Sequence, residues 1–175
     1  TDDDINLTII RGNEQCFSAG YDLSEPKEFS ENYPFFTSEG LGAWPRQVTE
    51  GCFRIWDLAK PVIGQVSGHC LAGGFELAQS CDLVFVADDA NIGYPPVRSL
   101  SPPDNQAIPW LMGFRNAMYL MLTGDGITGK QAAQQGFANA SFAPDVLEEE
   151  VLKVAERMTK IPVSYTHLRA HETQD

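Results

Sequence analysis

The chain has 175 residues, a hydrophobic content of 43% and a formal net charge of −12 at pH 7. This length and apolar content suit one globular domain, or part of a larger one, and argue against a wholly disordered chain. The acidic balance argues against nucleic acids and anionic membrane surfaces as partners, because both attract a basic protein face. No stretch approaches the roughly 18 consecutive apolar residues of a membrane span.

The four cysteines, Cys16, Cys52, Cys70 and Cys81, form no CxxC pair and have no metal-ligand spacing. They are scattered through apolar segments, which indicates reduced, buried thiols in a reducing compartment. The sequence shows no basic start followed by an apolar segment, the pattern of a signal peptide. We therefore expect a cytoplasmic protein without a metal site.

Predicted strands and helices alternate along the first half of the chain. Strands are predicted at residues 5–10, rich in β-branched side chains, and at residues 61–66. Between them, residues 11–23 form a predicted loop, residues 24–42 are predicted to be irregular, and residues 45–58 are predicted to be helical. This alternation is typical of the α/β class.

The second half continues the same alternation. A helix is predicted to open near Gly73, followed by a strand at residues 82–86 and a proline-rich loop at 94–105. Gly124 and Gly136 are predicted to end helices that precede them. The further predicted helices lie at residues 107–112, 115–122, 128–135 and 146–161. From the predicted helices at 107–112 and 115–122, the side chains expected to lie in the protein core are Trp110, Met112, Met118 and Met121.

Residues 163–175 break this pattern, because the helical periodicity stops after Pro162. The string VSYTHLRAHET resembles the translation of a transposase-type sequencing adapter read in frame. We expect residues 163–175 to be a non-native tail and residues 1–162 to be a partial domain, incomplete at both ends. An ordinary polar tail is the alternative. Without this segment His69 is the only histidine, which shifts any acid–base chemistry onto carboxylates.

Two turns carry small residues: FSAGYDL at residues 17–23 and SGHCLAGGFELA at residues 67–78. Small residues let a chain turn tightly and bring backbone N–H groups to a ligand without obstruction. In the second turn, Gly73 and Gly74 open a helix whose first N–H groups have no partner within the helix. One N–H from each turn could converge on a single oxygen as an oxyanion hole. A plain tight connection is the alternative.

These two motifs, together with IGYPPV and LTGDGITGKQAAQQGFAN, resemble the crotonase, or enoyl-CoA hydratase/isomerase, family from about residue 5 to residue 142. The resemblance implies an α/β fold, a crotonase-like spiral of ββα units. It also implies assembly as a homotrimer or a dimer of trimers. The implied substrate is an acyl-CoA thioester, with coenzyme A as part of the substrate and no separate cofactor.

The resemblance also assigns residues to the oxyanion hole. It gives the two N–H donors to Tyr21 and Gly73. Tyr21 brings a phenol to a place where the family often has a small residue. This ring is expected either to limit the shape of the acyl chain or to pack on residues 24–42. The neighbouring residues expected to bind substrate are Ala19, Gly20, Asp22 and Gly74.

Two carboxylates are the candidate catalytic residues. Glu76 matches the first catalytic glutamate of the hydratases, and a helix-start acid favoured by the helix dipole is the alternative. The second hydratase glutamate is missing, because Pro96 stands in its place. Asp104 follows Pro96 by eight residues. It resembles a functional aspartate of dienoyl-CoA isomerases and of a CoA-thioester dehalogenase, while a helix N-cap is its alternative.

The resemblance favours hydration of a 2-enoyl-CoA, with Glu76 exchanging a proton and Asp104 assisting. Pro96 keeps other reactions open: isomerisation of an enoyl- or dienoyl-CoA, other CoA-thioester chemistry, or a non-catalytic subunit that binds acyl-CoA or a partner protein. We expect His69 to be structural and Cys70 to be a buried thiol. Arg98 is expected either to lie on the surface or to meet a substrate carboxylate or CoA phosphate.

Overall fold

The computed structural model describes residues 4–22, 36–37, 40–41 and 43–161, with side chains described at 4–22 and 48–161. The strands are β1 Thr8–Arg11, β2 Cys16–Ser18, β3 Phe36–Thr37, β4 Gly40–Leu41, β5 Val62–Val66, β6 His69–Leu71, β7 Leu83–Ala87, β8 Asn91–Gly93, β9 Ile127–Thr128 and β10 Ala140–Phe142. The α-helices are α1 Ala43–Trp56, α2 Gly73–Gln79, α3 Ile108–Met112, α4 Phe114–Thr123, α5 Gly129–Gln135 and α6 Leu147–Thr159. A 3-10 helix spans Pro95–Arg98.

The strands within this part of the chain form two four-stranded sheets and a short antiparallel pair, β3–β4. The first sheet has the order β1-β5-β7-β10 and is parallel throughout. The second has the order β2-β6-β8-β9, with only the last pair antiparallel. Each of the pairs β1–β2, β5–β6 and β7–β8 sends one strand to each sheet. The predicted α/β spiral of ββα units is therefore confirmed.

Strand β5 lies inside the first sheet, where Ile63 is in register with Ile9 on one side and Leu83 on the other. All five of its residues are buried, as expected for a parallel strand covered on both faces. Helix α2 packs beside strands β2 and β6 of the second sheet. Its Phe75 is fully buried and stacks on Phe137 with ring centroids 5.0 Å apart. The core therefore fixes α2 and the turn that precedes it.

Several predicted elements are confirmed close to their expected bounds. The predicted strands at 61–66 and 82–86 correspond to β5 and β7, whereas the predicted strand at 5–10 begins only at Thr8. Helix α5 follows Thr128, whose side chain forms a capping box with Gln131. Gly124 and Gly136 end α4 and α5 in the left-handed conformation. The predictions for residues 24–42 and 163–175 lie outside the described residues, apart from β3 and β4.

The expectation that Trp110 belongs to the core is wrong, because its side chain is 85% exposed. Helix α3 has only five residues, and it buries Ile108 and Met112. Trp110 lies between them in sequence and therefore on a different face of the helix. Among the described residues, no helix combines the length and apolar character needed to cross a membrane.

Candidate active site

The two glycine turns, which are far apart in sequence, interlock in the structure. Gly20 has φ = +103°, and a Cβ at this position would lie 2.8 Å from Ala72 Cβ and 3.1 Å from the Gly73 nitrogen. A Cβ on Gly74 would lie 2.2 Å from the carbonyl oxygen of Ser18. Both glycines are therefore required for close approach of the two backbones. The two turns therefore lie against each other, as an oxyanion hole built from both of them requires.

Ala72, which precedes α2, has an unusual backbone. Among the residues that the structure describes, Ala72 is the one non-glycine residue with a positive φ, at φ = 52° and ψ = −123°. Its N–H donates to the Gly93 carbonyl at 3.2 Å, and its own carbonyl accepts from the Glu76 N–H at 3.1 Å. These bonds hold a conformation that L-residues rarely adopt. Sequence reasoning missed this feature, since alanine gives no sign of positive φ.

A cavity of about 420 Å³ opens beside the interlocked turns. The ring of Tyr21 lies over Gly73, where a Cβ would come within 3.0 Å of the ring atom Cε2. Of the predicted substrate-binding residues, Gly20 lines the cavity, Ala19 and Asp22 are exposed nearby in sequence, and Gly74 is buried. The residues that line the cavity are Ser18, Gly20, Tyr21, Val48, Gly51, Cys52, Ile55, Gly73 and Leu77.

Glu76 is a fully buried carboxyl on α2. Its Oε1 accepts the backbone N–H of Asn105 at 2.8 Å, whereas Oε2 has no hydrogen-bond partner within the described structure. Burial, assisted by the nearby charge of Asp104, raises the pKa of Glu76 from 4.5 to about 7, although backbone hydrogen bonds oppose the rise. Both protonation states are therefore accessible near neutral pH, which suits a general acid or base.

Asp104 is half-buried, and burial raises the pKa of its carboxyl. The alternative prediction, that Asp104 caps the following helix, is wrong. Ala107 occupies the N-cap of α3, and Asn105 Oδ1 accepts the Ala107 N–H at 3.1 Å. The structure thus brings the two predicted catalytic carboxyls, Glu76 and Asp104, within electrostatic reach of each other.

A buried polar network that the sequence reasoning missed surrounds Glu76. Asn105 Nδ2 donates to Ser80 Oγ at 3.3 Å, and Ser80 Oγ donates to the Glu76 carbonyl at 2.8 Å. Gln79 Nε2 donates to the Asn105 carbonyl at 3.1 Å. The available sign of this network was a pair of consecutive polar residues about one turn after Glu76: Gln79, which ends α2, and Ser80, which directly follows it.

Two tyrosines also face this region. Burial and the charge of Glu76 raise the pKa of Tyr94 to about 12, and its hydroxyl donates to the Pro102 carbonyl at 3.4 Å. The same two causes raise the pKa of Tyr21 above its ordinary value. Both phenols are therefore protonated at neutral pH, so they add no negative charge beside the carboxyls.

The family model for enoyl-CoA hydratase/isomerase matches residues 1–175. The chain belongs to this family. A probable enoyl-CoA hydratase of Rhizobium meliloti (strain 1021) is 31% identical over 88% of the chain and 58% of its own length. A crotonyl-CoA hydratase of Syntrophomonas wolfei is 34% identical over 88% of the chain and 58% of its own length.

The fold of the family is equally evident in solved structures. The crystal structure of an enoyl-CoA hydratase/isomerase from Xanthobacter autotrophicus Py2 has a TM-score of 0.84 and 30% sequence identity. That match covers 99% of this chain and 65% of the solved chain. The chain therefore spans less than two thirds of each of these three enoyl-CoA hydratase/isomerase relatives.

Pro96, at the place where the resemblance expects a second glutamate, has a backbone role in the 3-10 helix. Its carbonyl accepts N–H groups from Ser99, Leu100 and Ser101 at 3.1, 2.8 and 3.2 Å. A proline side chain has no group that exchanges protons. Within the described site, Asp104 is the carboxyl that lies near Glu76.

The remaining candidates lie outside the carboxyl cluster. Arg98 donates to Asp125 Oδ1 at 2.6 Å and to the Thr123 carbonyl at 2.9 Å, at the surface. His69 is exposed. Cys70 is fully buried, as predicted, and burial raises the pKa of its thiol. The described residues contain no group of three or more His, Cys, Asp or Glu side chains that could hold a metal ion.

Proposed function

We propose that this member of the enoyl-CoA hydratase/isomerase family hydrates a 2-enoyl-CoA thioester. The observation that carries the proposal is the buried Glu76 beside Asp104, on the helix that begins at the interlocked glycine turns. In this reaction the oxygen of water bonds to the β carbon and a proton bonds to the α carbon. The negative charge that develops meanwhile lies on the thioester oxygen.

The thioester oxygen accepts the backbone N–H groups of Tyr21 and Gly73. This assignment rests on the family resemblance and is supported by the close approach of the two turns, since a Cβ on Gly20 would lie 3.1 Å from the Gly73 nitrogen. Gly73 begins α2, where an N–H has no acceptor one turn earlier. Loss of one donor of this kind typically raises a barrier by about 3–4 kcal/mol. Further substrate contacts are assigned to Ala19, Gly20, Asp22 and Gly74.

The two carboxyls have different tasks in the proposed reaction. Glu76 exchanges the proton with the reacting atoms, because its pKa of about 7 permits both states at neutral pH. Asp104 assists by orienting the water, a task for which Pro96 has no suitable group. Glu76 does not line the cavity described above. The mechanism therefore requires bound substrate to bring Oε2 within reach, and catalytic contacts often tighten only in the complex.

The proposal extends to the localisation, cofactor use and assembly of the protein. We assign it to the cytoplasm, with coenzyme A carried by the substrate and no separate cofactor. A homotrimer, or a dimer of trimers, is the proposed assembly. Exposed apolar side chains on α3 and α4 support it, since an assembly contact would bury Trp110, Phe114 and Leu122, which are 85%, 68% and 75% exposed.

The test is turnover of crotonyl-CoA in water enriched with oxygen-18, followed by mass spectrometry of the thioester. Hydration adds one labelled oxygen to the product. A change in double-bond position without added oxygen would identify an isomerase instead. Binding of acyl-CoA without any product, across short, long and dienoyl thioesters, would identify a non-catalytic subunit. Either of these last two results would overturn the proposed reaction.

A further inference from the structure

The segment that follows the proline-rich loop lies directly against the Glu76 carboxyl. Asn105 is 8% exposed and donates its backbone N–H to Glu76 Oε1 at 2.8 Å. This bond occupies one carboxyl oxygen and leaves Oε2 without a partner in the described structure. Backbone hydrogen bonds from Asn105 and Asp104 both lower the pKa of Glu76, and the N–H that lies 2.8 Å from Oε1 is that of Asn105.

The side chain and carbonyl of Asn105 fix that N–H in place. Asn105 Oδ1 accepts the Ala107 N–H at 3.1 Å, which closes an Asx turn around the backbone. Asn105 Nδ2 donates to Ser80 Oγ at 3.3 Å, and the Asn105 carbonyl accepts from Gln79 at 3.1 Å. Gln79 is the last residue of the helix that carries Glu76 and Ser80 directly follows it, so these bonds connect the loop to the end of that helix.

We propose that Asn105 is a positioning residue, whose side chain holds its own backbone N–H against Glu76 Oε1 and so leaves Oε2 for proton transfer. The catalytic part of this inference rests on the proposed function. The positioning itself does not, because it concerns the protein without substrate. Asn105 acts only through Glu76 and exchanges no proton itself.

The titratable groups that face Glu76 come from four parts of the chain. Asp104 belongs to the same loop as Asn105, and Tyr94 follows strand β8. Tyr21 belongs to the first glycine turn, and Cys52 belongs to helix α1. The backbone hydrogen bond from Asn105 lowers the pKa of Glu76, the negative charge of Asp104 raises it, and a backbone hydrogen bond from Asp104 lowers it further. A hydrogen bond to the charged form stabilises the carboxylate.

Asn105→Ala removes the Asx turn and the bond to Ser80 while keeping the backbone N–H in the chain. The loosened N–H should stabilise the Glu76 carboxylate less, so the pKa of Glu76 should rise by about one pH unit. Carbon-13 NMR of labelled glutamate carboxyls follows this pKa, with the Glu76 signal assigned by its absence in Glu76→Gln. If the proposed hydration operates, the Glu76 limb of the kcat/KM pH profile should move by the same amount.

Two further variants serve as controls for Asn105→Ala. Asn105→Ser keeps a side-chain oxygen for the turn and should shift the pKa of Glu76 less than Asn105→Ala does. Asn116→Ala removes a side-chain amide hydrogen bond elsewhere in the protein, from Asn116 Nδ2 to the Met112 carbonyl at 3.0 Å. This substitution should leave the pKa of Glu76 unchanged. If Asn105→Ala does not fold, a rise of the pKa in Asn105→Ser decides the question in favour of the inference.

An unchanged pKa of Glu76 in folded Asn105→Ala, or in Asn105→Ser where Asn105→Ala does not fold, would overturn the inference. The NMR titration needs no turnover. A wild-type protein without hydratase activity would therefore contradict the proposed function, while the titration would still decide whether Asn105 positions Glu76.

Discussion

Glu76→Gln replaces a buried ionisable group by a neutral one of nearly the same shape, so its effect on stability should depend on pH. Burial raises the pKa of Glu76 from 4.5 to about 7 in the folded protein. One pKa unit corresponds to about 1.4 kcal/mol. Ionising Glu76 therefore costs the folded state about 3 kcal/mol relative to the unfolded chain.

The sign follows from where each state loses its proton. Below pH 4.5 Glu76 is protonated in both the folded and the unfolded chain, so the stability that the folded protein has with a neutral Glu76 is fully present. Between pH 4.5 and about 7 the unfolded chain has lost this proton while the folded protein retains it, so the wild-type free energy of unfolding falls as pH rises. Glutamine has no such dependence. Between pH 4.5 and 8 the free energy of unfolding of Glu76→Gln should therefore rise by about 3 kcal/mol relative to that of the wild type.

Urea unfolding of both proteins at intervals across this pH range measures the difference. Glu149→Gln is the control, because Glu149 is an exposed carboxyl whose pKa is lowered by its hydrogen bond with Lys153. That control should show a small change of the opposite sign, since the exposed pair is screened by water. A stability difference between Glu76→Gln and wild type that stays constant with pH would refute the reasoning.

Three further substitutions test the packing around the site. Gly20→Ala forces a Cβ to within 2.8 Å of a neighbouring Cβ at φ = +103°, and urea unfolding should show a loss of about 1–2 kcal/mol or more. Gly51→Ala, where a Cβ meets nothing within 4 Å, should instead gain about 0.5–1 kcal/mol because glycine is unfavourable within a helix. Phe75→Ala removes a fully buried ring stacked on Phe137, and the same assay should show a loss of about 3–5 kcal/mol. An unchanged free energy of unfolding in Gly20→Ala or in Phe75→Ala would contradict the described packing.

Elements with local chemical signals were predicted well from the sequence. Helix α5 is an example, since the capping box at Thr128 and the left-handed Gly136 act within one turn of chain. The short strands β6, β8 and β9 were not predicted. They have two or three residues each, too few to show a periodicity, and they form only when distant segments pair. Trp110 was misplaced for a related reason, because a five-residue helix hardly defines an apolar face.

The candidate site was predicted in part. The sequence pointed to an oxyanion hole formed by one N–H from each glycine turn, and in the structure the two turns lie against each other at Gly20 and Gly73. Their roles as substrate-binding groups stay predictions. Asn105 was missed because it donates a backbone N–H to Glu76, and a backbone donor leaves no mark in the residue type. The positive φ of Ala72 was missed because it is imposed by the surrounding hydrogen bonds.

The central claim is that Glu76 exchanges the proton during hydration of an enoyl-CoA thioester. The most direct measurement is kcat/KM for crotonyl-CoA hydration by the wild type and by Glu76→Gln, with the fold of the variant verified by circular dichroism. Loss of a positioned acid or base typically slows a reaction by about 10²–10⁴-fold, and we predict a loss in this range. Equal turnover by the wild type and the folded variant would contradict the claim.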